Sequence, residues 1–148
     1  MKSWNPRGGE RGFSLIELMI AVTIIAILTA IAVPSYRRYV LQGNRTDAIK
    51  TMAFYQQALE RCYSQNFTYV NAGPTPCTAA PGTAVNTTNN DYQLTFAITP
   101  TTYVITATAI NAQVPDTQCR TFTINQAGTQ TAADTSTNDQ TQACWGGH

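Results

Sequence analysis

The pattern of apolar and polar positions divides the chain into stretches of different period. Phe13 to Val33 is a run of 21 residues whose one charged member is Glu17. About 20 apolar residues cross a ~30 Å hydrocarbon core as an α-helix, so this run predicts a membrane-spanning helix. From Tyr36 to Gln65 the period becomes helical and one-sided. Ile49, Met52, Ala53, Leu59 and Tyr63 share one face, while Arg45, Asp47, Lys50 and Arg61 lie largely around the other. That is the signature of an amphipathic helix carrying a globular head. Gly43 is a tolerable weak point within it, and Pro34, at its start, removes one internal hydrogen bond and predicts a kink or local melting.

Beyond the helix, residues 66–90 lose periodicity. Asn71-Ala72-Gly73-Pro74-Thr75-Pro76 and Pro81-Gly82 are turn signals within a helix-to-sheet loop. Tyr92, Leu94, Phe96 and Ile98 then alternate with polar or small residues, as in a half-buried strand. Tyr103–Ile110 and Gln118–Asn125 supply two more strands, and Gly128 can return the chain to a short fourth around Thr129–Thr131. Short turns between consecutive strands predict an antiparallel meander packed on one helix, an α+β fold. Residues 132–148 read as a polar tail.

Composition adds little globally and much locally. Nine basic and eight acidic side chains among 148 residues give no overall electrostatic reason to expect nucleic acid. Lys2, Arg7 and Arg11 outnumber Glu10 before the apolar run. By the positive-inside rule that end stays cytoplasmic and the rest is exported. Cys62, Cys77, Cys119 and Cys144 all follow the span, with no Cys-x-x-Cys spacing and no histidine nearby. In an oxidising compartment they predict two structural disulfides rather than a zinc or redox centre. Of the three connectivities, Cys62–Cys77 with Cys119–Cys144 joins sequence-local segments.

An ordinary secretory signal peptide has a shorter apolar core and a small-x-small site behind it. Ala30-Ile31-Ala32 is such a triplet, but Val33-Pro34 continues it poorly. A plain anchor leaves Glu17 unexplained, since an acidic residue in hydrocarbon is costly and points to function. A signal lying before the apolar run accounts for both. Gly12-Phe13-Ser14-Leu15-Ile16-Glu17-Leu18 resembles the class III signal of type IV pilins and the related pseudopilins. The resemblance implies cleavage between Gly12 and Phe13 by a prepilin peptidase, N-methylation of Phe13, an assembly role for Glu17 and a helix-disrupting role for Pro34. It implies the type IV pilin fold: a long kinked helix on a sheet of three or four strands, with a disulfide-closed C-terminal region bounded by Cys119 and Cys144. The terminal Cys144-Trp145 is also similar to small PilE-like minor pilins.

The layout so expected is a cytoplasmic leader (1–12), a transmembrane and assembly helix (13–33), an amphipathic helix of the head (34–65), a loop (66–90), a sheet (91–131) and a disulfide-bounded tail (132–148). The implied partners are other pilin subunits, prepilin peptidase, the inner-membrane assembly machinery, and membrane lipid before assembly. The implied location is the bacterial inner membrane with a periplasmic head, then an extracellular pilus. A subunit of a type IV pilus, supporting motility, adhesion or DNA uptake, is the leading expectation. A type II secretion pseudopilin and a DNA-binding competence pilin are the alternatives.

Catalytic patterns are missing from the sequence. His148, at the terminus, is the sole histidine, and no nucleophile set, phosphate loop or metal-spaced cluster accompanies it. Asp91, Asp116, Asp134 and Asp139 fall in turns, where aspartate favours local backbone bonds. Asp134, Asn138 and Asp139 lack an EF-hand pattern. No enzyme activity, cofactor or metal is therefore expected. Arg37, Arg38, Arg45 and Lys50 cluster on the helix stem, as an interface collar or lipid-headgroup contact, and no nucleic-acid binding is expected of the head.

Overall fold

The computed structural model describes residues 13–70 and 84–146. They belong to two compact units, one up to Arg38 and one from Tyr39 onward. One helix, α1 (Leu15–Asn66), supplies all of the first unit's secondary structure and opens the second. From Leu15 to Val33 α1 is apolar on every side but for Glu17, and none of its most apolar window is buried. The two threonines of this stretch hide their hydroxyls against the helix itself: Thr23 donates to the Met19 carbonyl (2.8 Å) and Thr29 to that of Ile25 (2.9 Å). Helical structure runs through Pro34 without interruption, so the expected local melting is not found. Proline deletes one donor, and the bonds on either side hold the ladder.

The second unit is a five-stranded antiparallel sheet against the C-terminal half of α1. Its strands are β1 (Val85–Asn86), β2 (Tyr92–Ile98), β3 (Tyr103–Ala109), β4 (Thr121–Asn125) and β5 (Gln130–Ala133), paired in sequence order. The meander expected from the turns is the one observed. β1 lies inside the stretch read as loop, and two residues are too few to leave a periodic signal. Register explains how the core fits. Leu94, Ala107, Phe122 and Ala132 pair successively across four strands, alternating large and small side chains. Met52 and Leu59 of α1 are fully buried in this same core. The opposite face carries the row Thr95, Thr106, Thr123 and Thr131.

The strand ends are set by local chemistry. Thr99 and Thr102 bond to each other through backbone and side chain around Pro100. Gly128 (φ +74°) takes the left-handed position that closes β4 onto β5, and Asn125 Oδ1 accepts the amides of Ala127 and Thr129 there (3.0 Å each).

The C-terminal segment is better ordered than a polar tail. Asp139 bridges back to Ala133, and a short helix, α2 (Thr141–Trp145), follows. Trp145 donates its indole N–H to the Thr131 carbonyl (2.7 Å) and meets Phe122 edge-on at 5.6 Å. Cys144 is bonded to Cys119, with Cα atoms 5.8 Å apart. Cys62 is buried near the end of α1. Cys77, and with it the expected Cys62–Cys77 pair, lies outside the described residues, as do the leader and Gly12.

Candidate assembly site

The residues singled out for assembly lie at the start of α1. Phe13 precedes the helix and is 82% exposed; Glu17 sits in its first turn. A carboxylate there is favoured by the amide dipoles of the helix N-terminus, worth about 0.3–1 kcal/mol. That falls short of the roughly 2.5–3.5 kcal/mol for an acidic side chain at mid-membrane, a cost that declines toward the ends of a span. Among the described residues Glu17 has no hydrogen bond or ion pair. It differs in this from Thr23 and Thr29, whose polar atoms are satisfied internally. The unit thus presents an uncovered apolar helix with one unmatched charge near its beginning. Tyr36, Arg37 and Arg38 follow the apolar run, all exposed, as an aromatic and cationic girdle.

In the second unit the cation cluster read from the sequence is broken up. Arg45 forms a two-pronged pair with Asp116, Nε and Nη2 at 2.6 and 2.7 Å from the two carboxylate oxygens. The side chains are 13% and 3% exposed. Asp116, expected to serve a local turn, does accept the Cys119 amide (3.2 Å) but chiefly anchors the segment after β3 to α1. Gln113, fully buried, completes the anchor. Its amide nitrogen lies 2.9 Å from Asp116, 3.0 Å from the Leu41 carbonyl and 3.2 Å from the Tyr92 hydroxyl, and its oxygen accepts from Asn44. Tyr92 in turn donates to the Cys119 carbonyl (2.9 Å), so the network ends at the disulfide. Nothing in the local sequence announces it, because its partners are up to 72 positions apart.

A second polar anchor holds the chain leaving α1. Glu60 accepts from the hydroxyls of Tyr103 (2.9 Å) and Tyr69 (3.2 Å), and Tyr69 stacks on Tyr63 at 4.5 Å. Burial and the Glu60 charge push Tyr69 up to about 12. Burial and the Glu60 hydrogen bond likewise raise Tyr103. From Tyr39 onward the chain carries four basic and six acidic side chains. With Arg45 engaged by Asp116, the other cations among the described residues of the head are Lys50, Arg61 and Arg120. Among the described residues no group of three or more metal-ligating side chains occurs.

A long helix apolar in its first half, with a meander sheet packed on its second half and a disulfide-closed C-terminus, defines a pilin-class subunit. Residues 7–33 match the family described as prokaryotic N-terminal methylation motif, that of a membrane-anchored pilin. Residues 34–123 match the family described as type IV minor pilin ComP, DNA uptake sequence receptor. The chain belongs to this type IV minor pilin family. Prepilin peptidase-dependent protein D of Escherichia coli is 47% identical over 53 residues, 36% of each chain. Fimbrial protein EcpC of Eikenella corrodens is 35% identical over 101 residues, 67% of this chain and 62% of its own. A probable minor fimbrial protein of Dichelobacter nodosus is 36% identical over 66 residues, 45% and 42% of the two chains. The alignments thus span between about a third and three fifths of these relatives' own lengths.

Proposed function

We propose that this chain is a structural, non-enzymatic minor subunit of a type IV pilus. It enters the inner membrane with Met1–Gly12 in the cytoplasm, and prepilin peptidase cuts it between Gly12 and Phe13. The amine of Phe13 is then methylated, which keeps its charge and adds apolar bulk. Lipid holds the helix until the assembly machinery transfers it into the core of a fibre, among the helices of other pilins. Glu17 sets axial register there by meeting the cationic terminus of a neighbouring Phe13. An i,i+4 pair within one chain is the competing arrangement. A buried pair adds little net stability, but a mispaired charge is heavily penalised. The observation that carries this reading is the uncovered apolar segment Phe13–Val33, helical from Leu15, with its single unmatched carboxylate. Mass spectrometry of sheared pili tests it: the chain should begin at Phe13 with one added methyl group. An intact leader, or a terminus near Ala32, overturns it.

The family description raises a second role, reception of a DNA uptake sequence. The acidic excess of the head and the engagement of Arg45 by Asp116 argue against a phosphate-binding face, and nucleic acid is left out of the proposal. Fluorescence anisotropy of labelled duplex DNA with the full chain in detergent should show no binding at physiological salt. A salt-dependent micromolar complex would bring the second role back.

A further inference from the structure

On the outer side of α1 one aromatic ring stands in solvent among polar side chains. Phe54 is 65% exposed, yet its ring is held: Tyr55 meets it edge-on at 5.3 Å, and Tyr55 in turn meets Phe96 at 5.0 Å. Tyr55 and Phe96 both pack on the buried core, so the exposed ring is braced from within. Beside it lies an open cavity of about 400 Å³, in the size range of small-molecule sites. Asp47, Lys50, Phe54 and Tyr55 of α1 line one side, and Val85, Asn86 and Thr88, from β1 and the turn after it, line the other. Asp47, Lys50 and Phe54, at i, i+3 and i+7, form a single stripe along the helix.

The polar groups of this lining are free to meet a ligand. Lys50 is exposed and Asp47 half-buried, and neither forms an ion pair among the described residues although they stand one turn apart. Asn86 is oriented by bonds to Asn90 and Gln93, which leave one of its amide N–H groups over. Thr88 is exposed, whereas Thr51, also at the cavity, spends its hydroxyl proton on the Asp47 carbonyl (2.8 Å). One cation beside one anion leaves the cavity without net charge, which argues against a phosphate or a metal ion. A braced aromatic face flanked by both donors and acceptors is instead complementary to a sugar ring. The axial C–H groups of a pyranose carry slight positive charge and stack on the negative face of an aromatic ring. Its hydroxyls each donate and accept, so adjacent ones bridge an ammonium and a carboxylate. We propose that Phe54, Asp47 and Lys50, with Asn86 and Thr88 opposite, form a shallow site for a neutral pyranose unit of a glycan.

The test uses the full chain in phosphocholine micelles, which carry no sugar of their own. Methyl glycosides of glucose, galactose, mannose and N-acetylglucosamine are added, and binding is read by saturation-transfer NMR and by amide shifts of labelled protein. At least one should bind with a Kd on the order of 1 mM, as a single ring in an open site allows. The amides around Phe54 and Asn86 should shift on binding. Phe54→Ala should abolish binding without moving Tm, because the ring is largely exposed, and Phe54→Trp should keep it. Asp47→Asn and Lys50→Met should each weaken it by roughly threefold or more, the loss of one hydrogen bond to a charged group. Failure of all four glycosides overturns the proposal, and so does binding that survives Phe54→Ala. A hexuronic acid that binds about tenfold tighter than its neutral parent overturns the neutral assignment and makes Lys50 an anion site. Poor entry of Phe54→Ala into pili, with no sugar bound by the parent, overturns it in favour of a contact between subunits. The binding outcomes do not depend on whether the chain enters a pilus.

Discussion

At the scale of single residues, the head depends on polar groups whose partners are distant in sequence. Asp116 is 3% exposed and receives Arg45, Gln113 and the Cys119 amide. Removing one member of a buried pair strands the other charge, at a cost of about 3–5 kcal/mol. Asp116→Ala should therefore lower the urea midpoint of the full chain in micelles far more than the exposed Lys50→Ala. Equal midpoints would show that the pair contributes nothing. The tyrosines give a second test. Tyr69 is held up to about 12 against an ordinary 10.0, and burial raises Tyr92 and Tyr103 as well. A raised acid is protonated longer in the folded state, so its contribution is complete below pH ~10 and disappears as pH climbs through the folded value. At pH 11, unfolding by denaturant should release about three further tyrosinates, read by absorbance, together with a loss of stability between pH 10 and 12. No step in absorbance would refute the assignment. None of this was legible in the sequence: Asp116 read as a turn residue, and Arg45 as part of a surface collar.

At the scale of elements, local pattern was a good guide wherever one face of an element is buried. The alternation at Tyr92, Leu94, Phe96 and Ile98 located β2, and the helical stripe located Met52 and Leu59, both fully buried. Two elements escaped it. β1 is two residues long, and α2 is short and polar except where Trp145 reaches Phe122. The tail is held by that ring, by the indole bond to β5 and by the Cys119–Cys144 bond across 25 positions. Closing a loop of that size is worth about 3.5 kcal/mol in the chain-entropy model. Replacing both cysteines by alanine should lower stability by about that much and bring the amides of 134–146 to faster hydrogen exchange than those of β3. Unchanged protection in the tail would mean that Trp145 alone suffices. Asp134 and Asp139 also belong to this element. Hydrogen bonds from Asn138 and Thr141 hold their carboxyls below the ordinary value, so what they contribute is present above the unfolded pKa and is lost as pH falls through the folded one.

At the scale of the whole molecule, the chain combines two solutions to the problem of apolar surface. From Tyr39 onward it buries apolar side chains against its own sheet; up to Arg38 it leaves them for something else to cover. The family matches divide near the same point, one ending at residue 33 and the other beginning at 34. The first solution demands complementary shapes, which is why register and alternating side-chain size matter there. The second demands only length, apolarity and a rule for alignment, which is why seven residues around Gly12 were enough to suggest it. Glu17 is the one charged side chain of the apolar segment, disfavoured by lipid and given a use only by the fibre proposed above. Glu17→Gln removes the charge while keeping the shape, so insertion should be equal or better, because desolvating an amide costs less than a carboxylate. If the proposed register-setting pair with Phe13 is lost, incorporation into sheared pili should fall at least tenfold, by immunoblot against the membrane pool. Glu17→Asp, with its charge retained but withdrawn by one methylene, should fall between the two. If Glu17→Gln enters fibres as well as the parent, shape alone aligns the helices and the carboxylate must be explained some other way.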